Sequence, residues 1–368
     1  MRISRRFRNR FLTWLAVIAF GAVAGYAYAQ LAYKAEIANI PTGGLRAAIT
    51  GSMIAGSTTG FEIFMMLGRF GNWLKRLPFV LGTLLRIGIH TVLVVTCLIV
   101  TRIAWAMNDG KSPVDEFIAS NWLQDLLYSF VIIAGVLFVM QMRLLVGGRT
   151  LLNVVLGKYR RPIREERLFL LVDLLGSTAL AAKLGDERFH SYVSNFFFDV
   201  DQPIVEAGGE IYSYVGDAVF AAWPLRDHQQ NAKAVRAIVS MRMLIDERAP
   251  LYEERFGVAP RFRAVLHGGP VVAGECGSSR RQITYLGDVL NTTARLEALA
   301  KDLRVENLIS DEILKRIALP DGVTVRDLEQ HRLKGVAEPI RAWSLEFRTS
   351  SMDEFAAPGE HASQVAAQ

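Results

Sequence analysis

The chain is poor in cysteine and in charge, and it shows no internal repeat. Cys97 and Cys276 are the only two cysteines in 368 residues. One lies in an apolar run and the other in the more polar half, which disfavours both a disulfide framework and a cysteine-held metal centre. Charged residues make up 21% of the chain and apolar residues 51%, unusual for a purely soluble protein. The hydrophobic excess sits almost wholly before residue 150. The net charge of +6 is modest, and its distribution says more than its size. Arg2, Arg5, Arg6, Arg8 and Arg10 crowd one end, and Arg143, Arg149, Lys158, Arg160 and Arg161 follow the last apolar run. No aromatic platform is interleaved with these clusters, which argues against nucleic-acid binding.

What is present is a series of apolar runs. Phe11–Tyr33 is uncharged and long enough for a hydrocarbon core that needs ~20 residues. Leu45–Leu67, Pro78–Met107 and Leu126–Met142 are three further candidates. Arg69, Lys75 and Arg76 lie between spans two and three, whereas Asp109, Asp115 and Glu116 offset Lys111 between spans three and four. The excess of Lys and Arg places the N-terminus, the 69–77 loop and everything after residue 143 on the cytoplasmic side of a cell membrane. Ala27-Tyr28-Ala29 resembles a signal-peptide cleavage site, but the apolar run before it exceeds the usual ~7–15 residues. The outer loops, near 34–44 and 108–122, are too short for a sensor domain. Glu62 and His90 are ionisable groups at membrane depth and so functional candidates, with a pairing that settles packing as the plainer reading. His90 is the only histidine in the spans, which disfavours a haem site.

These patterns divide the chain into a four-helix transmembrane domain (1–147), a juxtamembrane linker helix (148–166), a domain of alternating strands and helices (167–347) and a disordered tail (348–368). Leu168–Val172 reads as a buried strand that ends in Asp173, followed by Gly176-Ser177-Thr178 at a helix start. Glu210–Tyr214 and Ala218–Trp223 read as strands joined by a Gly216-Asp217 turn. Two carboxylates on adjacent strands can share hard divalent cations, which take oxygen ligands and complete their shell with phosphate. A helix opening after Asp173 can receive phosphate oxygens on its N–H groups. Asn291 and Arg295, four apart on a helix entered through Gly287-Asp288, project from one face. Each taken alone reads equally well as a cap, a turn former or a surface side chain.

Taken together, five ordered blocks resemble the class III adenylate/guanylate cyclases. Val172-Asp173-Leu174-Leu175-Gly176-Ser177-Thr178 looks like the family's first metal-binding strand and phosphate loop. Tyr214-Val215-Gly216-Asp217-Ala218 resembles its second metal-binding hairpin, and His267–Gly274 its central strand and turn. Gly287–Glu297 is similar to the helix bearing the transition-state pair, and Leu333-Lys334-Gly335 to a late phosphate-binding hairpin. The resemblance covers roughly 165–347 and implies an α+β, ferredoxin-like catalytic domain following the transmembrane helices.

It further implies a membrane-bound adenylate cyclase of bacterial type, making cyclic AMP and pyrophosphate from ATP. Asp173, Leu174 and Asp217 would hold two Mg²⁺ or Mn²⁺ ions. Gly176, Ser177, Thr178 and Lys334 would bind phosphates, and Asn291 and Arg295 would act at the transition state. Each site would combine halves from both chains of a head-to-tail homodimer. Thr284 and Ser213 fall at the purine-reading positions, where adenylate cyclases more often carry Asp or Thr and Lys. The missing lysine, together with the missing guanine-reading glutamate, tilts the reading to ATP. A guanylate cyclase and a degenerate cyclase-like signalling module are the alternatives. A scaffold that only dimerises is a weaker one, and transport lacks a charged pathway through the spans.

Overall fold

The computed structural model describes residues 5–32, 43–65, 69–74, 77–112, 114, 122–146, 152–153, 156–278, 282–336 and 338–347. The chain divides into two compact units, Met1–Leu145 and Val146–Gln368. The expected tail after residue 347 and most of the expected outer loops lie outside the described residues.

The first unit is helical: α1 (Arg5–Ala32), α2 (Gly43–Phe64), the short α3 (Arg69–Leu74), α4 (Phe79–Asn108) and α5 (Trp122–Val146). α1 and α2 meet along small residues. A Cβ added to Gly25 would stand 2.2 Å from the Ala47 carbonyl oxygen, and one on Gly51 equally close to that of Gly21. Only glycine permits this approach, which is how helices associate where apolar burial offers no drive. Several charges inside the unit are paired. Arg46 binds Asp109 at 2.6 Å and stacks over Trp105, Glu62 accepts from His90 at 3.1 Å, and Arg102 meets Asp125. The Glu62–His90 contact is thus the packing pair that the plainer reading anticipated.

Four spans were expected, and the described residues contain two that are long and apolar enough to cross a bilayer, Phe11–Leu31 in α1 and Leu84–Asn108 in α4. α2 is a full-length helix diluted by Gly, Ser and Thr. The apolar stretch of α5, Trp122–Val136, is short.

The second unit is built on an eight-stranded mixed sheet. Its strands are β1 (Ile163–Leu174), β2 (Glu210–Val215), β3 (Ala218–Pro224), β4 (Phe262–Cys276), β5 (Gln282–Leu286), β6 (Asn307–Ser310), β7 (Val323–His331) and β8 (Ile340–Phe347). Their order is β2-β3-β1-β4-β6-β8-β7, with β5 paired to β4. β1 starts at Ile163, so strand structure begins inside the segment expected as linker helix; the chain turns at 156–159 just before it. The helix start expected at Gly176-Ser177-Thr178 opens two helices, α6 (Ser177–Leu184) and α7 (Asp186–Glu206), separated at Gly185. α8 (His228–Phe256), α9 (Asp288–Asp302) and α10 (Asp311–Leu314) complete the unit.

Alternation along β1 sorts its side chains between two cores. Leu168, Leu170, Val172 and Leu174 join Phe196, Val200, Ile204, Val235 and Ile238 of α7 and α8 in the larger core. Phe169 and Leu171 turn to the opposite face, where α9 lies through Val289 and Leu296. Asp173 belongs to this second set, and that places it on the α9 face of the sheet.

Candidate active site

Asp173 sits where β1 leaves the apolar core. Its cross-strand partners are Ala218 on β3 and Arg263 on β4. Asp217 occupies the two-residue turn between Val215 and Ala218, with Gly216 at φ 62°, a left-handed value that favours glycine. Registry therefore brings the two carboxylates side by side. Burial first, and then the charges of Asp217 and Glu297, push the Asp173 carboxyl up to about 6, against the opposing pull of Arg263 and Lys301. Such crowding marks a site that favours added positive charge.

The hairpin is braced from behind. The Tyr214 hydroxyl donates to Asp201 of α7 at 2.5 Å, and its ring packs on Phe197 with centroids 4.8 Å apart. After Leu174 the chain turns through Gly176, at φ 72°, into α6, so Ser177 and Thr178 stand at the start of that helix next to Asp173.

The chemistry of the donors fits a small hard cation. Among the described residues no cluster of three acidic, histidine or cysteine ligands occurs. Two carboxylates with open positions suit an ion such as Mg²⁺, which keeps waters and takes substrate phosphates. The main chain of Leu174 adjoins the pair.

Arg263 and Glu297 were not singled out in the sequence. Arg263 is buried, reaches Glu297 at 2.9 Å and approaches Asp173 at 3.8 Å. It is the one charge in the apolar run Phe262–Leu266, and that oddity was the available signal.

α9 presents its residues in two directions. Glu297 faces the sheet and the Asp173 end. Two residues correspond to about 200° of rotation, so Arg295, and with it Asn291 one turn earlier, look the other way. Arg295 donates to the Gly335 carbonyl at 3.0 Å and lies 3.8 Å from Asp288, while Asn291 is exposed. The structure thus joins Arg295 to the Leu333-Lys334-Gly335 turn, with Lys334 exposed beside it. It does not join them to Asp173 and Asp217 within one chain.

Thr284 lies on β5 opposite Gly274, and its hydroxyl is buried with no hydrogen-bond partner among the described residues. Ser213 lies on β2 after a bulge and makes only a long contact, 3.4 Å, to the Tyr214 carbonyl. Their chain neighbours Tyr212 and Tyr285 pack ring against ring, 5.1 Å between centroids. The two expected purine-reading residues therefore flank one aromatic layer.

Residues 165–346 match the family of adenylate and guanylate cyclase catalytic domains. The chain is 37% identical over 244 residues to adenylate cyclase 2 of Rhizobium meliloti, covering 66% of each protein. To adenylate cyclase 1 of the same organism it is 27% identical over 183 residues, 48% of this chain and 27% of that one. It thus spans well under half the length of some relatives it matches. Among solved structures, the adenylyl cyclase CyaB from P. aeruginosa aligns with a TM-score of 0.46 and 22% identity, over 51% of this chain and 97% of that one. A bacterial light-regulated adenylyl cyclase aligns at 0.49 and 19%, over 62% and 67%. The chain belongs, through the domain spanning 165–346, to the class III adenylate/guanylate cyclase family.

Proposed function

We propose that this chain is a membrane-anchored adenylate cyclase that converts ATP to 3′,5′-cyclic AMP and pyrophosphate at sites shared between two copies. The observation that carries the reading is the division of the site. The carboxylates converge at one end of β1, while Asn291, Arg295 and Lys334 face away from them on the far side of α9. A second copy, docked head to tail, would bring its outward face over the carboxylates of the first. A two-fold dimer would then hold two such sites.

Divalent ions held by Asp173, Asp217 and the Leu174 main chain would supply activation of the ribose 3′-hydroxyl and neutralisation of the triphosphate. The N–H groups at the start of α6, with Ser177 and Thr178, would receive phosphate oxygens. Asn291 of the second copy would orient the ribose. Its Arg295 would neutralise charge developing at the α-phosphorus, and Lys334 would bind the leaving phosphates. The 3′-oxygen forms its bond to the α-phosphorus as the bond to pyrophosphate breaks. Catalysis of this kind rests on positioning and charge stabilisation more than on a dedicated base.

The unpartnered Thr284 hydroxyl is the group available to the purine edge. Ser213, neutral and short, adds neither the charge of a lysine nor the acceptor strength of a glutamate. This supports ATP over GTP.

In the membrane, α1, α2, α4 and α5 would form a multi-pass bundle with the N-terminus and catalytic unit cytoplasmic. The two apolar spans, the charges paired between helices, the glycine seam and the bias of Lys and Arg support this topology. The test is turnover by the full chain in vesicles or micelles, supplied with ATP or GTP and Mg²⁺ or Mn²⁺. Cyclic AMP formation well above cyclic GMP formation is expected. A preference for GTP, or no turnover of either nucleotide, would overturn the assignment.

A further inference from the structure

The segment that enters the catalytic unit from the membrane side is not a free tether. Tyr159 lies in a turn just before β1, yet its side chain is 1% exposed. Its ring shares a packed cluster with Phe169, Val271, Ala273, Tyr285 and Val289. That cluster draws on β1, β3, β4, β5 and the first turn of α9, and of these β5 carries Thr284 and α9 carries Asn291 and Arg295.

Polar contacts tie the same residue down. The Tyr159 hydroxyl donates to Glu165 at 3.2 Å and accepts from Arg167 at 3.0 Å. Its carbonyl accepts from the Glu275 N–H at 3.1 Å, on the outer part of β4. Lys158 pairs with Glu165 at 2.8 Å, and so does Arg167 at 2.7 Å. The Arg167 guanidinium is buried and lies 5.1 Å over the Tyr285 ring, next in sequence to Thr284. A buried guanidinium is a poor packing device, because its desolvation offsets much of what its contacts return, and an aliphatic chain of similar volume commonly serves as well. Here it connects the chain entering the domain to the strand beside the purine reader.

We infer that Tyr159 and Arg167 are positioning residues for the β5 strand and the α9 helix, so that the connector from the membrane unit is built into the base-reading half of the active site. The inference rests on the cyclase reading above and deepens it. The carboxylate half, Asp173 and Asp217, lies outside the Tyr159 cluster. Loosening the connector therefore disturbs recognition of the base and the placement of Asn291 and Arg295, while the binding of cations is left alone. Any displacement of α5 that reaches Tyr159 along the chain acts on the same half.

The test uses the full chain in micelles with three variants, Tyr159→Phe, Tyr159→Ala and Arg167→Met. Tyr159→Phe keeps the ring and removes the hydroxyl's contacts to Lys158, Glu165 and Arg167. It should lower kcat/KM for ATP about ten-fold, in keeping with the loss of hydrogen bonds to charged groups. It should also narrow the ATP-to-GTP ratio and lower the melting midpoint by a few degrees, while the Mn²⁺ concentration for half-maximal rate stays unchanged. Arg167→Met should behave in the same way, and Tyr159→Ala should be worse in rate and ratio. If Tyr159→Phe and Arg167→Met match an active wild type in rate and in ratio, the inference fails and the cyclase reading stands. A loss accompanied by an equal shift in Mn²⁺ dependence also contradicts it, because the whole site would then have moved. A wild-type chain inactive on both nucleotides overturns the inference and the reading together.

Discussion

α1 and α2 of the helical unit meet backbone to backbone through Gly21, Gly25 and Gly51, whereas β1 meets α7 and α8 through Leu168, Leu170, Val172, Phe196 and Val200. The same chain thus closes one interface by removing side chains and the other by filling space with them. The proposed membrane setting of the first unit accounts for the difference. In water, burying large apolar groups supplies the drive, at about 25 cal/mol per Å². Between helices in lipid that drive is missing, so close approach and dispersion have to replace it. Charges follow the same division. In the helical unit several are spent on one another, Glu62 on His90 and Arg102 on Asp125. In the catalytic unit two carboxylates, Asp173 and Asp217, are left beside each other, and Arg263 at 3.8 Å from Asp173 only partly offsets their crowding.

The sharpest way to break this comparison is to remove one of those carboxylates. Asp217→Ala should lower cyclic AMP formation by at least a thousand-fold and leave the melting midpoint nearly unchanged. Full turnover by the variant would end the metal assignment. A second contrast lies in the helix seam. Gly51→Leu forces a branched side chain into the space held by the Gly21 carbonyl. It should cost the membrane unit about 3 kcal/mol, within the range for overpacking. Limited proteolysis of the protein in micelles should then cut between α1 and α2 more readily, with no change in the catalytic unit.

A third contrast, visible only as pH falls, concerns His267, buried on β4 and hydrogen-bonded to Ser310 at 2.8 Å. Burial drives its pKa down from 6.5 to about 4, with Asp288 opposing. The unfolded chain takes up the proton first, so this contribution is whole above pH ~6.5 and is lost as pH falls toward ~4, about 3 kcal/mol in all. The urea midpoint of the wild type should decline more steeply across that window than that of His267→Asn. Equal slopes would show that His267 is not held neutral.

How much of this was legible in the sequence depended on the distance over which residues act. The Asp173 strand end, the Gly216-Asp217 turn and the shared face of Asn291 and Arg295 are local features and were readable. Arg263 and Glu297 reach the site only because β1 and β4 pair in one register, which no local pattern reveals. Gly268-Gly269-Pro270 reads as a turn, yet β4 runs straight through it. A Cβ on Gly268 would stand 2.6 Å from the Arg167 carbonyl oxygen, so that glycine is there for close strand approach. The burial of Tyr159 was equally hidden, because a polar, basic stretch before a strand gives no sign that its one aromatic is in the core. Only two of the four expected spans stand out by apolarity, for a further reason. Gly, Ser and Thr in α2 are compatible with a helix packed on another helix, but they lower its apolarity below what a lone span needs.

The most direct measurement is complementation. Asp217→Ala and Arg295→Ala chains, each inactive alone, are co-expressed and assayed for cyclic AMP. A site that takes its carboxylates from one chain and its arginine from the other would be intact once in every mixed dimer, which restores about a quarter of the wild-type rate on random pairing. No recovered activity, with mixed dimers demonstrated by differential tagging, would contradict the division of the site between two copies.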